Sequence, residues 1–168
     1  LTEMGRIAKV SDLAEKIFGD KVTDKERQEL AFIGEISANL TVIEESDKYH
    51  NAIGIADYGN EKEIKQKVDE IVNLVKKNKA PMSIDEIDNN TNYEHPDHIK
   101  AVASISKLLA TLNGLWGLAK WPSVSPKNIR DKIFVILETK REPMHFSDIA
   151  KAIKESNFKR KDVTVQAR

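Results

Sequence analysis

Hydrophobic residues recur at helical spacing in residues 62–78, on a segment that is otherwise charged. The apolar side chains lie three or four positions apart, which predicts a helix with one buried face. They are Ile64, Val68, Ile71, Leu74 and Val75. Lys79-Ala80-Pro81 ends this helix, because proline cannot continue the hydrogen-bond ladder and restricts the residue before it.

A short capped helix and a longer helix follow. Ser83 and Glu86 have the spacing of a capping box, in which each side chain accepts a hydrogen bond from the other residue's backbone N–H. After a polar loop, residues 97–112 again show helical spacing, with Asp97 as the predicted N-cap. The next residues begin with Asn-Gly, alternate in character and end at Pro122, which predicts a β-hairpin.

A winged helix-turn-helix has the element order helix, corner, short helix, helix and β-wing. The chain repeats parts of this order. A shift of 62 residues places apolar and proline positions of 71–87 on equivalent positions of 133–149. Shifts of 63 and 136 residues align 53–58 with 116–121 and 11–17 with 147–153. Such recurrence indicates an array. The predicted fold class is mostly α, with tandem winged helix-turn-helix repeats and short β-wings.

The repeats divide the chain into a first segment (1–59), a second segment (60–124) and a third segment (125–168). For the first segment we predict an incomplete opening helix, a third helix at about 24–42 and a wing at 46–59. The third segment is predicted to begin with Pro126 in the first turn of its helix and to stop inside its third helix. We therefore expect the sequence to be a window cut from a longer array.

Composition limits the class of protein. The 168 residues include no cysteine, which excludes a disulfide framework and a thiolate metal site. No run of about 18 apolar residues exists, so we predict no membrane span. Because no secretory signal is present either, we expect a cytoplasmic protein.

Charge is balanced overall but unevenly distributed along the chain. Residues 1–58 carry 7 Lys and Arg against 12 Asp and Glu, and residues 59–126 carry 9 against 9. Residues 127–168 carry 11 against 6. This asymmetry predicts an anionic partner for the C-terminal end alone.

The third segment resembles the HARE-type helix-turn-helix domains. Their motif is a Pro-Leu/Met-His-Phe corner, an Ile-Ala-x-x-Ile helix and a third helix that opens with Thr-Val. The matching residues are Pro143, Met144, His145, Phe146, Ile149, Ala150, Ile153, Thr164 and Val165. Residues 116–137 are similar to the segment that precedes this domain in bacterial sigma-factor-like regulators, and the RNA polymerase delta subunit has a comparable winged-helix domain. The resemblance implies DNA binding or transcription-linked contacts for residues 127–168.

Candidate DNA-binding residues follow from the way winged helices contact DNA. The third helix usually enters the major groove, while the wing or the start of the first helix contacts phosphate. A basic run precedes the predicted third helix, polar side chains lie at its start, and cations, including Lys132, surround the start of the first helix. The candidates are Lys127, Arg130, Lys159, Arg160, Lys161, Thr164, Gln166 and Arg168. The alternative interpretation is a solvated, charged loop and helix end.

The first two segments are weaker candidates for DNA contact. The predicted third helix of the first segment is acidic and would repel phosphate, so a protein partner or packing against a neighbouring repeat fits better. Its acidic residues are Asp24, Glu26, Glu29 and Glu35. The third helix of the second segment is neither strongly basic nor acidic, and it offers His98, Lys100, Ser104 and Lys107.

Two histidine motifs invite a chemical interpretation. Residues 95–98, His-Pro-Asp-His, offer metal ligands, but zinc requires three or four convergent ligands, so capping by Asp97 is favoured. His145 has no adjacent nucleophile, so capping or packing is favoured over catalysis. Because no P-loop, dinucleotide-binding turn, nucleophile elbow or paired-carboxylate motif is present, we predict no enzyme activity, metal or cofactor.

Two functions remain open at this point. The predicted function is a DNA-binding, transcription-associated module, sigma-factor-like or regulatory, whose third segment contacts double-stranded DNA. The alternative is a protein-interaction scaffold that docks to RNA polymerase, or to a restriction or defence complex, through the acidic first segment. Trp116 and Trp121 frame the second wing, and anchoring it to the domain core or to the next repeat is favoured over stacking on bases.

Overall fold

The computed structural model describes residues 1–19, 21–91, 95–156 and 158. Within these ranges the chain forms seven α-helices and two three-stranded antiparallel sheets. The first segment contains β1 (Ile7–Lys9), α1 (Val10–Phe18), α2 (Asp24–Ile36), β2 (Leu40–Ile43) and β3 (Ala52–Ile55). The second contains α3 (Glu61–Asn78), β4 (Met82–Ser83), α4 (Ile84–Asp88), α5 (Pro96–Ser104), β5 (Leu109–Leu112) and β6 (Leu115–Leu118). The third contains α6 (Ile129–Lys140) and α7 (Phe146–Glu155).

The two sheets have the same topology. In each, one short strand precedes two helices, two strands follow them, and the last strand lies in the centre, giving the orders β1-β3-β2 and β4-β6-β5. In each hairpin the two strands pair along their whole length, so that the first residue of one lies opposite the last residue of the other, Leu40 with Ile55 and Leu109 with Leu118. The described parts of the first and second segments thus share a strand–helix–helix–strand–strand order.

A glycine occupies the third position of the central strand in both sheets. A Cβ atom on Gly54 would lie 3.4 Å from the Ile64 side chain, and one on Gly117 would lie 2.9 Å from the side chains of Trp121 and Val124. In each sheet, therefore, the missing side chain leaves room for residues that follow the sheet in the chain. In the first segment these residues belong to α3.

Helix α3 forms as the sequence predicts. Asn60 and Glu63 make a capping box at its start, and its apolar stripe is buried, with Ile64, Val68 and Ile71 fully inaccessible to solvent. The capping box of Ser83 and Glu86 at the start of α4 is also confirmed.

The first and second segments share one hydrophobic core. Ile7, Ile43 and Ala52 of the first segment belong to the same cluster of buried side chains as the stripe of α3 and the buried face of α5. Backbone hydrogen bonds also join the segments, from His50 N to the Ile105 carbonyl and from Lys107 N to the Lys48 carbonyl, both 2.8 Å long. The two segments are therefore packed together as one body.

Side chains at this junction are paired as well. The Lys107 ammonium donates to Glu45 at 2.7 Å, and this hydrogen bond lowers the pKa of the Glu45 carboxyl. The Tyr49 hydroxyl donates to Asp69 of α3 at 3.0 Å. Burial, reinforced by Asp69, raises the pKa of Tyr49 to about 12.

This tyrosine predicts a loss of stability at alkaline pH. The unfolded chain releases the proton near pH 10, its ordinary pKa, whereas the folded chain holds it to about pH 12. The contribution of Tyr49 to the free energy of unfolding is therefore expected to be fully present below pH 10 and to be lost as the pH rises from 10 to 12. Urea unfolding across this range should show a shallower fall for Tyr49→Phe than for the parent protein. Equal slopes would contradict the assignment.

Two predicted third helices are too long. Residues 97–112 do not form one helix, because α5 ends at Ser104 and Leu109–Leu112 form β5. Asn113 and Gly114, with φ of 52° and 79°, make the tight turn that pairs β5 with β6. Likewise the helix predicted at about 24–42 ends at Ile36, and β2 follows, so the first hairpin spans residues 40–55 rather than 46–59.

Two predicted helix starts are also wrong. Asp97 is not the N-cap of α5: Pro96 takes the first helical position, and the His95 ring accepts a hydrogen bond from Asp97 N at 3.3 Å. Pro126 does not lie in the first turn of α6, because the helix begins at Ile129 with Asn128 as its N-cap. No helix in the described ranges combines the length and apolar character needed to cross a membrane.

Candidate nucleic-acid interface

Side-chain caps fix both helices of the third segment. The Asn128 side chain accepts from Asp131 N at 2.9 Å and so caps α6, and the Asp131 carboxylate accepts from Lys127 N at 3.0 Å. His145 caps α7, where its ring accepts from Ser147 N. The capping role predicted for His145 is confirmed, and residues 141–145 connect the end of α6 to the start of α7.

The structure describes two of the predicted DNA-binding residues. Lys127 immediately precedes α6 and Arg130 lies in its first turn, and both side chains are exposed. The remaining candidates lie outside the described residues: Lys159, Arg160, Lys161, Thr164, Gln166 and Arg168. Lys132, grouped with Lys127 and Arg130 in the sequence analysis, is only 5% exposed. Its ammonium lies 5.6 Å from the centre of the Phe158 ring, so Lys132 does not belong to a DNA-contacting surface.

Four more exposed cations lie on these two helices or directly after α6, and they were not among the predicted site residues. They are Lys140, Arg141, Lys151 and Lys154. Lys140 lies in the last turn of α6 and Lys154 in the last turn of α7, where a cation interacts favourably with the helix dipole. A Lys at the predicted end of a helix is therefore the sequence signal that could have identified both. Lys151 lies 4.0 Å from Glu155 in an exposed pair, which is a weak interaction.

The third helix of the second segment is covered by the first segment. Helix α5 packs against β1 and the turn before it, where a Cβ atom on Gly5 would lie 2.6 Å from the Asp97 carbonyl oxygen and 2.7 Å from Ala101 Cβ. Ala101, Val102 and Ala103 are all buried. Protein therefore covers this side of α5, and its exposed side carries the ion-paired Asp97 and Lys100, 3.4 Å apart, rather than a cluster of cations.

The third helix of the first segment is acidic, as the sequence predicts, but it is also partly apolar on its exposed side. Phe32, Ile33 and Ile36 of α2 are 59%, 52% and 67% exposed. Glu29 and Glu35 are exposed on the same helix. An apolar, acidic surface does not suit phosphate.

The His-Pro-Asp-His motif has a structural role. His95 caps α5, while His98 is buried and packs edge-on against Tyr58, with ring centres 5.1 Å apart. The described residues contain no group of three or more His, Cys, Asp or Glu side chains arranged to hold a metal ion. Trp116 is buried in the core and Trp121 packs against it, which is the anchoring role predicted for them.

No protein-family model matches the sequence, and no match was found among curated proteins or among solved structures. Function must therefore be inferred from the geometry and the charges described above.

Proposed function

We propose that the chain is a tandem winged-helix module that binds double-stranded DNA through its third segment, in a transcription-associated role. The repeated architecture supports this proposal. The second segment has the order helix, strand, helix, helix, strand, strand, and the first has the same order from its first strand onward. Both sheets place the last strand in the centre. Helices α6 and α7 supply the opening helix and the second helix of a third unit.

The observation that carries the DNA-binding part is the contrast between the surroundings of α2 and α5 and the charge of the third segment. Helix α5 packs on the first segment along one side and exposes an Asp97–Lys100 pair on another, and α2 presents acidic and apolar side chains. Residues 127–168, in contrast, carry 11 Lys and Arg against 6 Asp and Glu. Exposed cations, Lys127 and Arg130 among them, surround α6 and α7. The third segment is thus the one whose charge suits a polyanion.

The residues of this segment take different roles in the proposed complex. Lys127 and Arg130, at the start of α6, contact phosphate, as do Lys159, Arg160 and Lys161 before the predicted third helix. Thr164, Gln166 and Arg168 at the start of that helix carry donors suited to base edges or to the backbone.

Salt dependence tests the proposal. Binding of the full chain to a labelled duplex, followed by fluorescence anisotropy between 50 and 200 mM salt (about the range in which such binding weakens steeply), should show a linear fall of log K with log salt concentration. The triple variant Lys159→Glu, Arg160→Glu, Lys161→Glu should lower the magnitude of that slope by roughly 3, because each lost phosphate contact removes about 0.9.

A matched variant controls for net charge. Lys62→Glu, Lys76→Glu, Lys77→Glu makes the same change of charge on exposed positions of α3, and the salt slope should stay close to that of the parent protein. Equal loss in both triple variants would show a general effect of net charge. Absence of any salt-dependent duplex binding by the full chain would contradict the proposal outright.

A further inference from the structure

Phe158 is the last residue that the structure describes, and it contacts the first helix of the third segment. The centre of its ring lies 5.6 Å from the ammonium of Lys132, which is the fourth residue of α6. At this distance the face of an aromatic ring attracts a cation. The chain after α7 therefore returns to the N-terminal half of α6.

Lys132 has no carboxylate partner among the described residues. Only 5% of the residue is exposed, and none of the ion pairs between described side chains includes it. Covering a lysine is unfavourable unless another group replaces part of the hydration of its ammonium. The ring of Phe158 supplies such an interaction, so its contact with Lys132 is part of the packing of the third segment.

Phe158 also lies beside the second segment. It lines a cavity of about 290 Å³ together with Thr111 of β5, Trp116 of β6 and Pro126, which precedes α6. Trp116 is 8% exposed and Pro126 is buried, so this wall belongs to the packed part of the fold. Phe158 itself is half-buried. Its position is therefore set by α6 and by the sheet of the second segment.

This position relates two groups of cations that the sequence predicts separately. Lys127 and Arg130 lie at the start of α6. The basic run, Lys159 to Lys161, directly follows Phe158 in the chain. Because neighbouring Cα atoms are about 3.8 Å apart, an anchored Phe158 restricts where the basic run can begin. Both groups of cations therefore start from the same half of α6.

We propose that Phe158 is a positioning residue for the DNA-binding surface, which fixes the start of the basic run near Lys127 and Arg130. This inference rests on the proposed function. With Phe158 anchored, part of the conformational entropy of the basic run is lost when the chain folds and not when it binds DNA, which strengthens binding. Phe158 acts here through its neighbours in the chain, and Lys132 and the second segment provide the anchor.

Phe158→Ala in the full chain tests this role. Affinity for the labelled duplex should fall roughly tenfold, about the effect of ordering one more residue on binding. The slope of log K against log salt concentration should stay that of the parent protein, because no cation is removed. Phe158→Tyr keeps the ring and should restore the parent affinity. The matched control is Phe146→Ala, at a phenylalanine that is 77% exposed, which should leave the affinity unchanged.

Acetylation of lysine measures the contact without DNA. Treatment with acetic anhydride, followed by mass spectrometry of peptides, should modify Lys132 more slowly than the exposed Lys127 and Lys140 in the parent protein. Phe158→Ala should remove this protection, and circular dichroism should show that the variant still folds. Unchanged protection of Lys132 in Phe158→Ala, or a salt slope that falls together with the affinity, would overturn the inference.

The two proposals fail in different ways. If the parent protein binds the duplex and Phe158→Ala binds it equally well, the positioning role is wrong and the proposed function stands. If the parent protein shows no salt-dependent duplex binding, the proposed function is wrong and the positioning role falls with it.

Discussion

Replacing Gly5 with alanine is expected to destabilise the folded chain by about 3 kcal/mol, a loss that combines backbone strain with a steric clash. Gly5 has a φ of 78°, which disfavours any residue with a Cβ atom. The added Cβ would lie 2.6 Å from the carbonyl oxygen of Asp97 and 2.7 Å from Ala101 Cβ. Because the first of these atoms belongs to the backbone of α5, relief requires β1 and α5 to move apart. Urea unfolding followed by circular dichroism measures the effect.

Gly114→Ala separates the two causes. Gly114 has nearly the same φ, 79°, but nothing lies within 4 Å of the position its Cβ would take. This variant should lose only about 1 kcal/mol, the cost of the left-handed conformation. If Gly5→Ala and Gly114→Ala lower the free energy of unfolding equally, the steric clash predicted at Gly5 adds nothing to the cost of its backbone conformation.

Ile64→Ala is expected to cost about 3 kcal/mol and to destabilise the first and second segments together. The Ile64 side chain is fully buried, and it lies against the central strand of the first segment at Gly54 while belonging to the first helix of the second. Its removal leaves a cavity in the core that both segments share. The unfolding transitions seen by tryptophan fluorescence, which reports Trp116 and Trp121 of the second segment, and by circular dichroism should coincide and shift together.

The control is Ile129→Ala, at an isoleucine that is 60% exposed, and its effect should stay within about 0.5 kcal/mol. The shared core would be contradicted if Ile64→Ala shifted the fluorescence transition but left part of the circular dichroism transition in place.

Elements with strong local signals could be predicted from the sequence. The stripe of α3 has a regular period, and the capping box of Ser83 and Glu86 and the tight turn at Asn113-Gly114 depend on neighbouring residues alone. The boundary between α5 and β5 could not be predicted in this way. Residues 97–112 are apolar at helical spacing throughout, and only pairing with β6 decides that Leu109–Leu112 is a strand.

The candidate sites also combine features that the local sequence indicates with features that depend on tertiary packing. Exposed Lys127 and Arg130 follow from charge and position, but the burial of Lys132 depends on what packs over α6. The apolar stripe of α2 has the same signature as a buried one, because periodicity records that a face is apolar and not whether the fold covers it. In the fold, Phe32, Ile33 and Ile36 are more than half exposed.

The contact between α5 and β1 has a mechanical consequence. Helix and strand belong to different segments but to one core, so the first two segments cannot rotate against each other without exposing apolar surface. A ligand bound to the first segment would therefore keep a fixed distance and direction from the second segment. A flexible linker would spread that ligand over many positions and dilute it. The shared core instead holds the surfaces of the two segments in one fixed arrangement.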